Sequence, residues 1–244
     1  MKNIKIILEY DGTEFSGWQF QPLQRTLQGE LEDAIKATTG EELRVTASGR
    51  TDAGVHAYGQ AVNFKTESNL DERAWLGALN HYLPRQMRVQ GVEEVGPDFS
   101  ARFDAKGKQY DYIIINRAVP SPIHRNYAWH VGMQLDFEAM EAAARELVGE
   151  HDFTSLRATD CDSNTPVREL RSLEVIKDGD RIRLSLTAGG FLRHMVRNIA
   201  GTLVEVGRGR FKPEDMKTIL EARDRTKAGP TAPPQGLYLV KVEY

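Results

Sequence analysis

Cysteine is nearly absent: Cys161 stands alone in a chain of 244 residues. One thiol excludes an internal disulfide and any multi-cysteine metal site, and it fits a reducing cytoplasm. Cys161 lies in a polar stretch, residues 154–165, where a thiol is more often incidental than nucleophilic. Long apolar runs are missing too, and none reaches the length of a bilayer span. The opening stretch MKNIKIILEYDG interrupts its apolar residues with charge, so it reads as a strand rather than a secretory signal. There is no low-complexity segment and no short-period repeat. No Walker loop or G-x-G-x-x-G precedes a helix. His56 and His81 lack the spacing and partners of a metal site. Ser48 has no His partner at nucleophile-elbow spacing, and His151 in GEHDFTSL reads as bonding within the fold. Finally, there is no excess of positive charge: the net charge is −3.

That sum does not suggest nucleic acid, but binding follows where Lys and Arg sit rather than their total. Basic groups recur locally, at Arg102, Lys106 and Lys108, at Arg168 and Arg171, at Arg181 and Arg183, and at Arg208, Arg210 and Lys212. Acids concentrate elsewhere, in residues 30–33, 136–146 and 214–224. An acidic outer face with a basic cleft satisfies both facts, and so do solvated strand edges. The hydrophobic fraction of 40% and charged fraction of 27% are those of a globular protein. The length allows one large domain or two modest ones.

Periodicity outlines the elements. Ile4, Ile6, Leu8 and Tyr10 alternate as a strand does. After a polar loop, 11–25, Thr26 is placed to cap a helix whose Leu27, Leu31 and Ile35 share one face. Gly40 is a suitable stop. Strands are expected at 42–46, 57–65 and, more weakly, 88–95. Asn69 is placed to cap a helix through Trp75 and Leu79. This order is β-α-β-β-α-β. The second half repeats it roughly. A strand at 106–116 leads through a connection, 119–129, to a helix capped by Asp136 and ended by Gly149. A hairpin follows, 167–177 and 181–188, turning at Asp178-Gly179. Helices near 191–206 and after Pro213, and a strand at 237–244, complete the chain. The expected class is α+β. It comprises two ferredoxin-like β-α-β-β-α-β units, 1–103 and 104–244, sharing an extended, mostly antiparallel sheet.

The densest chemistry lies in residues 47–64, ASGRTDAGVHAYGQAVNF. Arg50, Asp52 and His56 crowd together, with Gly49 and Gly54 on either side of the carboxylate. If their side chains point the same way, Arg50 favours an ionised Asp52. A surface turn in which Asp52 caps backbone and Arg50 meets solvent accounts equally well for the composition. Three other stretches carry candidates. In KGKQYDYIIINR, Tyr110 lies mid-strand with Lys106 and Lys108 on its face. It reads as a half-buried strand aromatic, or as a base-stacking residue flanked by phosphate-binding cations. In GGFLRHMVRNIAGTLVEVGRG, Leu192, Val196, Ile199 and Leu203 form a core stripe. Arg193 and Arg197, four apart, share another face. In GPTAPPQGLYLVKV, Leu237 opens a strand.

GRTDAGVHA with the following GQ resembles the signature loop of the tRNA pseudouridine synthase A family. YDGTEFSGWQFQP, NHYLP, FSARFDAKGKQYDYII, GEHDFTSL, HMVRNIAGTL and APPQGLYLVKV carry the resemblance along essentially the whole chain. Asp104 and Asp111 depart from it, adding negative charge beside Lys106 and Lys108. The resemblance implies conversion of uridine to pseudouridine at positions 38–40 of the tRNA anticodon stem-loop, in the cytoplasm. It implies a homodimer and no metal. By it, Asp52 is the nucleophile, with Arg50 and Arg197 opposing any rise in its pKa; Arg197 is its partner. Tyr110 contacts the target base, and Leu237 packs beneath it, in a cleft between the two units. It gives Arg193 no role. No redox or group-transfer cofactor is required, because the reaction oxidises nothing and loses no group. Two rivals remain: a non-catalytic RRM-like RNA-binding module, which has no need of Asp52, and a small-molecule hydrolase using Asp52 and His56.

Overall fold

A computed structural model describes residues 1–161 and 163–244. Asp162, inside the polar stretch 154–165, lies outside the described residues. The chain is mixed α+β and divides into two compact units. One comprises Met1–Lys106 with Tyr238–Tyr244, and the other Gly107–Leu237. The sequence reading kept the final strand in the second half. It groups with the first unit because its residues Tyr238 and Leu239 pair in parallel with His56 and Ala57.

The first unit runs β1 (Lys2–Tyr10), α1 (Leu27–Thr39), β2 (Thr46–Ala47), β3 (His56–Thr66), α2 (Glu72–Tyr82) and β4 (Met87–Val95). β4, β1 and β3 are neighbours in that order and β2 pairs with β3, all antiparallel, while the final strand pairs with β3 in parallel. Alternation along β1 buries Ile4, Ile6 and Leu8, and the helices meet them with Leu27, Leu31, Ile35, Trp75 and Leu79, all essentially inaccessible. Each such side chain contributes roughly 1.5–3 kcal/mol by leaving water. Thr26 caps α1 as expected, its hydroxyl accepting the Gly29 amide at 3.2 Å, and left-handed Gly40 ends it. Two expectations shift. The expected strand at 42–46 reduces to β2, because Glu32 rather than a strand partner takes the Val45 amide. The α2 cap is Asp71, not Asn69: Asp71 Oδ1 accepts the Ala74 amide at 2.7 Å.

The second unit contains β5 (Gly107–Asn116), β6 (Trp129–Val131), α3 (Phe137–Arg145), β7 (Gly149–Asp152), β8 (Val167–Asp178), β9 (Arg181–Ala188), α4 (Met195–Gly207) and α5 (Asp215–Ala222). The order β5-β9-β8-β7 is antiparallel throughout, and β6 adds to β5 in parallel. One sheet face, with Tyr112, Ile114, Ile182, Leu184 and Leu186, is buried, as are Met140 and Ala144 of α3 and Ile199 and Leu203 of α4. The strand β10 (Leu237–Glu243) follows.

Here several boundaries differ from expectation. β6 and β7 are too short to show a period, and Gly149, expected to end a helix, starts β7 with φ 115°. The helix itself stops at Arg145. The hairpin turns at Gly179-Asp180, since Asp178 and Arg181 are still paired. A left-handed first loop residue, Gly179 at φ 60°, is what a tight hairpin of this kind requires. α4 starts at Met195 because His194 is left-handed at φ 60°. That break removes Arg193 from the helix and from its expected i, i+4 relation to Arg197. No helix among the described residues is long and apolar enough to cross a membrane.

The two capping assignments are separable by mutation. Asp71→Ala is expected to cost about 1 kcal/mol in urea denaturation. Asn69→Ala is expected to leave the midpoint unchanged.

Candidate active site

The loop between β2 and β3 carries Arg50 and Asp52, and its backbone is tied down at both ends. At its start the Ser48 amide donates to Ala61 O at 2.9 Å. The Ser48 hydroxyl donates to Gln60 Oε1 at 2.7 Å, and Gln60 Nε2 donates to Gly49 O at 2.6 Å. In the middle, the Thr51 hydroxyl is 2.9 Å from the Tyr10 hydroxyl in a buried bond. Thr51 O accepts the Trp18 amide at 3.0 Å. At its end the Val55 amide donates to Asp52 O at 3.2 Å, closing a turn through left-handed Gly54. Within this frame Arg50 is exposed and Asp52 half-buried.

Residues 11–18 press directly on the loop. Gly17 has φ 89°, and a Cβ there would lie 2.9 Å from Thr51 O and 3.3 Å from the Asp52 carbonyl carbon. A Cβ on Gly12 would meet Val55 O at 2.0 Å. The Gly12 amide donates to His56 Nδ1 at 3.1 Å. His56 is 2% exposed and stacks on Tyr238, ring centroids 4.8 Å apart. The same nitrogen lies 3.2 Å from Asp11 Oδ1, so His56 Nδ1 faces the turn at Asp11 and Gly12. Tyr10, Gly12, Gly17, Trp18 and Thr51 were not singled out from sequence. For the first four the signal was the motif YDGTEFSGW, visible but without a stated role, and for Thr51 it was the signature loop itself.

In the second unit Tyr110 sits on the core-facing side of β5, opposite Leu186. It is 8% exposed and makes an edge-on contact with Phe191 at 5.0 Å. The expected grouping with Lys106 is not on one strand face, since Lys106 precedes β5. Asp111 and Asp104, read as charges beside the lysines, each have a partner within their own unit. Asp111 Oδ2 pairs with Arg183 at 3.2 Å, and Asp104 Oδ2 accepts the Ser100 amide at 2.9 Å. Arg193 pairs with Asp160.

Arg197 is the one residue of α4 that is not buried. Its Nε donates to Ala232 O at 2.8 Å, and its own carbonyl accepts the Ala232 amide at 3.0 Å. Four residues after Ala232, Gly236 lies against Tyr112, where a Cβ would be 2.7 Å from the ring. Leu237, 7% exposed, follows at once. The Tyr112 hydroxyl donates to Pro233 O at 2.7 Å. Burial raises the pKa of this phenol, and the Arg197 charge only partly opposes it, so it stays a donor well into the alkaline range. The structure thus places Arg197 and Leu237 at the two ends of one connector, packed on the strand that carries Tyr110. Arg50 and Asp52 share the loop of the first unit. Among the described residues no three His, Cys, Asp or Glu side chains gather as a metal site needs.

A family model described as tRNA pseudouridine synthase matches residues 6–104 and 143–244. The chain belongs to the tRNA pseudouridine synthase family. Four of the five candidate residues, Arg50, Asp52, Arg197 and Leu237, fall in the matched ranges, and Tyr110 lies between them. Full-length relatives agree. The chain is 47% identical to tRNA pseudouridine synthase A of Caldicellulosiruptor saccharolyticus, covering all of both chains. It is 48% identical to tRNA pseudouridine synthase A of Brevibacillus brevis and 45% identical to tRNA pseudouridine synthase A 2 of Clostridium perfringens, again over all of each. A solved Cbf5-Nop10-Gar1 complex matches at TM-score 0.32 and 14% identity, over 82% of this chain and 54% of that one, too slight a likeness to bear on the fold.

The pinning of the loop has a measurable consequence. Gly17→Ala combines a left-handed φ with a 2.9 Å approach to Thr51 O. It is expected to destabilise the protein by more than about 1 kcal/mol in urea denaturation. Gly96→Ala, where a Cβ meets nothing, is the control and is expected to move the midpoint little.

Proposed function

We propose that this protein converts uridine to pseudouridine at positions 38–40 of the tRNA anticodon stem-loop. It does so in the cytoplasm, as a homodimer and without a cofactor. The observation that supports this most strongly is the 45–48% identity to tRNA pseudouridine synthases A across the entire chain. In this reading the two units are the two ferredoxin-like halves of the enzyme.

The reaction breaks the bond from uracil N1 to ribose C1′. The base turns over, C5 bonds to C1′, the C5 proton leaves and N1 gains a proton. Atoms and oxidation states balance without a co-reactant. No water is activated, so one carboxylate suffices where a glycosidase uses two. Asp52 is that carboxylate, acting at C1′, at C6 or as the base of a glycal route. Arg50 and Arg197 favour its charged form. Tyr110 holds the uracil face, and Leu237 packs beneath it. The target must leave its stack, which costs roughly a few kcal/mol. Contacts between basic side chains and RNA phosphates offset that cost.

The test is release of tritium from tRNA labelled at uracil C5. The parent protein is expected to release it, and Asp52→Ala to release none while still binding tRNA. Binding without release by the parent would instead favour an RNA-binding module. Neither binding nor release would return the small-molecule hydrolase. Affinity for tRNA is expected to fall steadily with rising salt, measured by filter binding between low and physiological ionic strength.

A further inference from the structure

The segment leading from α5 to β10 is fastened to α4 more closely than a connection requires. Residues 229–232, Gly-Pro-Thr-Ala, lie along the helix with backbone nearly touching backbone. A Cβ on Gly201 would sit 1.7 Å from Pro230 O, and one on Gly229 would sit 2.7 Å from the Thr202 Cα. The Gly229 amide donates to the Thr202 hydroxyl at 3.0 Å. Only glycine on both sides permits this approach.

A polar chain fixes the strap along its length. Arg225 Nη1 donates to Gly229 O at 2.8 Å, and Nη2 donates to the Thr231 hydroxyl at 3.1 Å. The Thr231 hydroxyl donates in turn to Asn198 Oδ1 at 2.6 Å, and Arg225 Nη2 reaches the same oxygen at 3.1 Å. Asn198 has no exposed surface, and its Nδ2 donates to Leu156 O at 3.1 Å. This side chain therefore joins four pieces: α4, the turn at 154–156, Arg225 and the strap. The next strap residue is Ala232, whose carbonyl receives Arg197 Nε.

We infer that Thr231, Asn198 and Arg225 are positioning residues that hold the Ala232 carbonyl and, through it, the guanidinium of Arg197. The inference rests on the role proposed above for Arg197. A guanidinium is planar, so fixing Nε fixes the direction of both terminal nitrogens. The motifs HMVRNIAGTL and APPQGLYLVKV, separate in sequence, are one device: the first supplies the guanidinium, and Ala232, which opens the second, supplies the carbonyl that aims it.

Thr231→Val removes the hydroxyl and keeps size and branching, while Asn198 Oδ1 and Arg225 retain each other. Single-turnover tritium release is expected to fall by about tenfold to a hundredfold, as for a displacement of order 1 Å. The KM for tRNA is expected to stay within about twofold, the mark of an interaction that acts on the chemical step. Thr231→Ser, which restores the hydroxyl, is expected to recover most of the rate. In Arg197→Lys, which has no Nε donor, Thr231→Val is expected to add no further loss, because both changes act through one bond. A parental rate in Thr231→Val, a loss confined to KM, or a fully additive loss in Arg197→Lys would each overturn the inference. If Thr231→Val does not fold, Arg225→Lys, which lacks the two-nitrogen fork, is read in the same way. A parent that releases no tritium overturns the proposed function itself, whereas an active parent with an indifferent Thr231→Val overturns only the positioning role.

Discussion

The first unit depends on the hold that residues 10–18 keep on the backbone of residues 51–55. A loop that presents a carboxylate cannot be secured through that carboxylate if the group is to stay available. It must be secured through its amides and carbonyls and through the side chains on either side. Thr51 meets both needs, with its hydroxyl on Tyr10 and its carbonyl on the Trp18 amide. Trp18 is itself buried, and the Trp18 carbonyl accepts the Gln28 amide, so the grip is continuous with the start of α1. The position of Asp52 is thereby referred to the core rather than to a mobile surface.

The second unit solves the same problem for a cation. Arg197 is the one residue of α4 not buried, and a backbone carbonyl receives its Nε. A carbonyl acceptor carries no net charge, so it orients the guanidinium without neutralising it, as a carboxylate partner would. The neighbouring phenol of Tyr112 is kept neutral by burial, so it too donates without adding charge. In both units, then, backbone amides and carbonyls hold the segments that carry the ionic groups.

The sequence was legible where one local rule acted alone. Alternation marked β1, the Thr26 hydroxyl marked the start of α1, and Asp136 marked that of α3, where it accepts the Ala139 amide. It was illegible where two local candidates competed. Asn69 and Asp71 are both good caps, and the choice between them follows from where Trp75 and Leu79 must point to reach the core. The turn at Gly179-Asp180 was misread by one residue because Asp-Gly is a strong turn signal in its own right, whereas the register of β8 on β9 is set by Leu173 and Val175 against Leu186 and Leu184. β6 and β7 left no trace because a strand of three or four residues has no period.

By itself the sequence determined which residue types are gathered into which short stretches, and so the family and the candidate chemistry. Motif identity is a local property and survives without coordinates. The tertiary structure alone decided what holds those residues. It buried His56, with its Nδ1 against the Gly12 amide and Asp11 Oδ1. It placed Tyr110 on a core-facing strand side, and it laid the Gly-Pro-Thr-Ala strap on α4 beneath the Arg197 guanidinium. Each of these depends on contacts between segments tens of residues apart. Such contacts arise only when burial of the apolar faces brings the segments together.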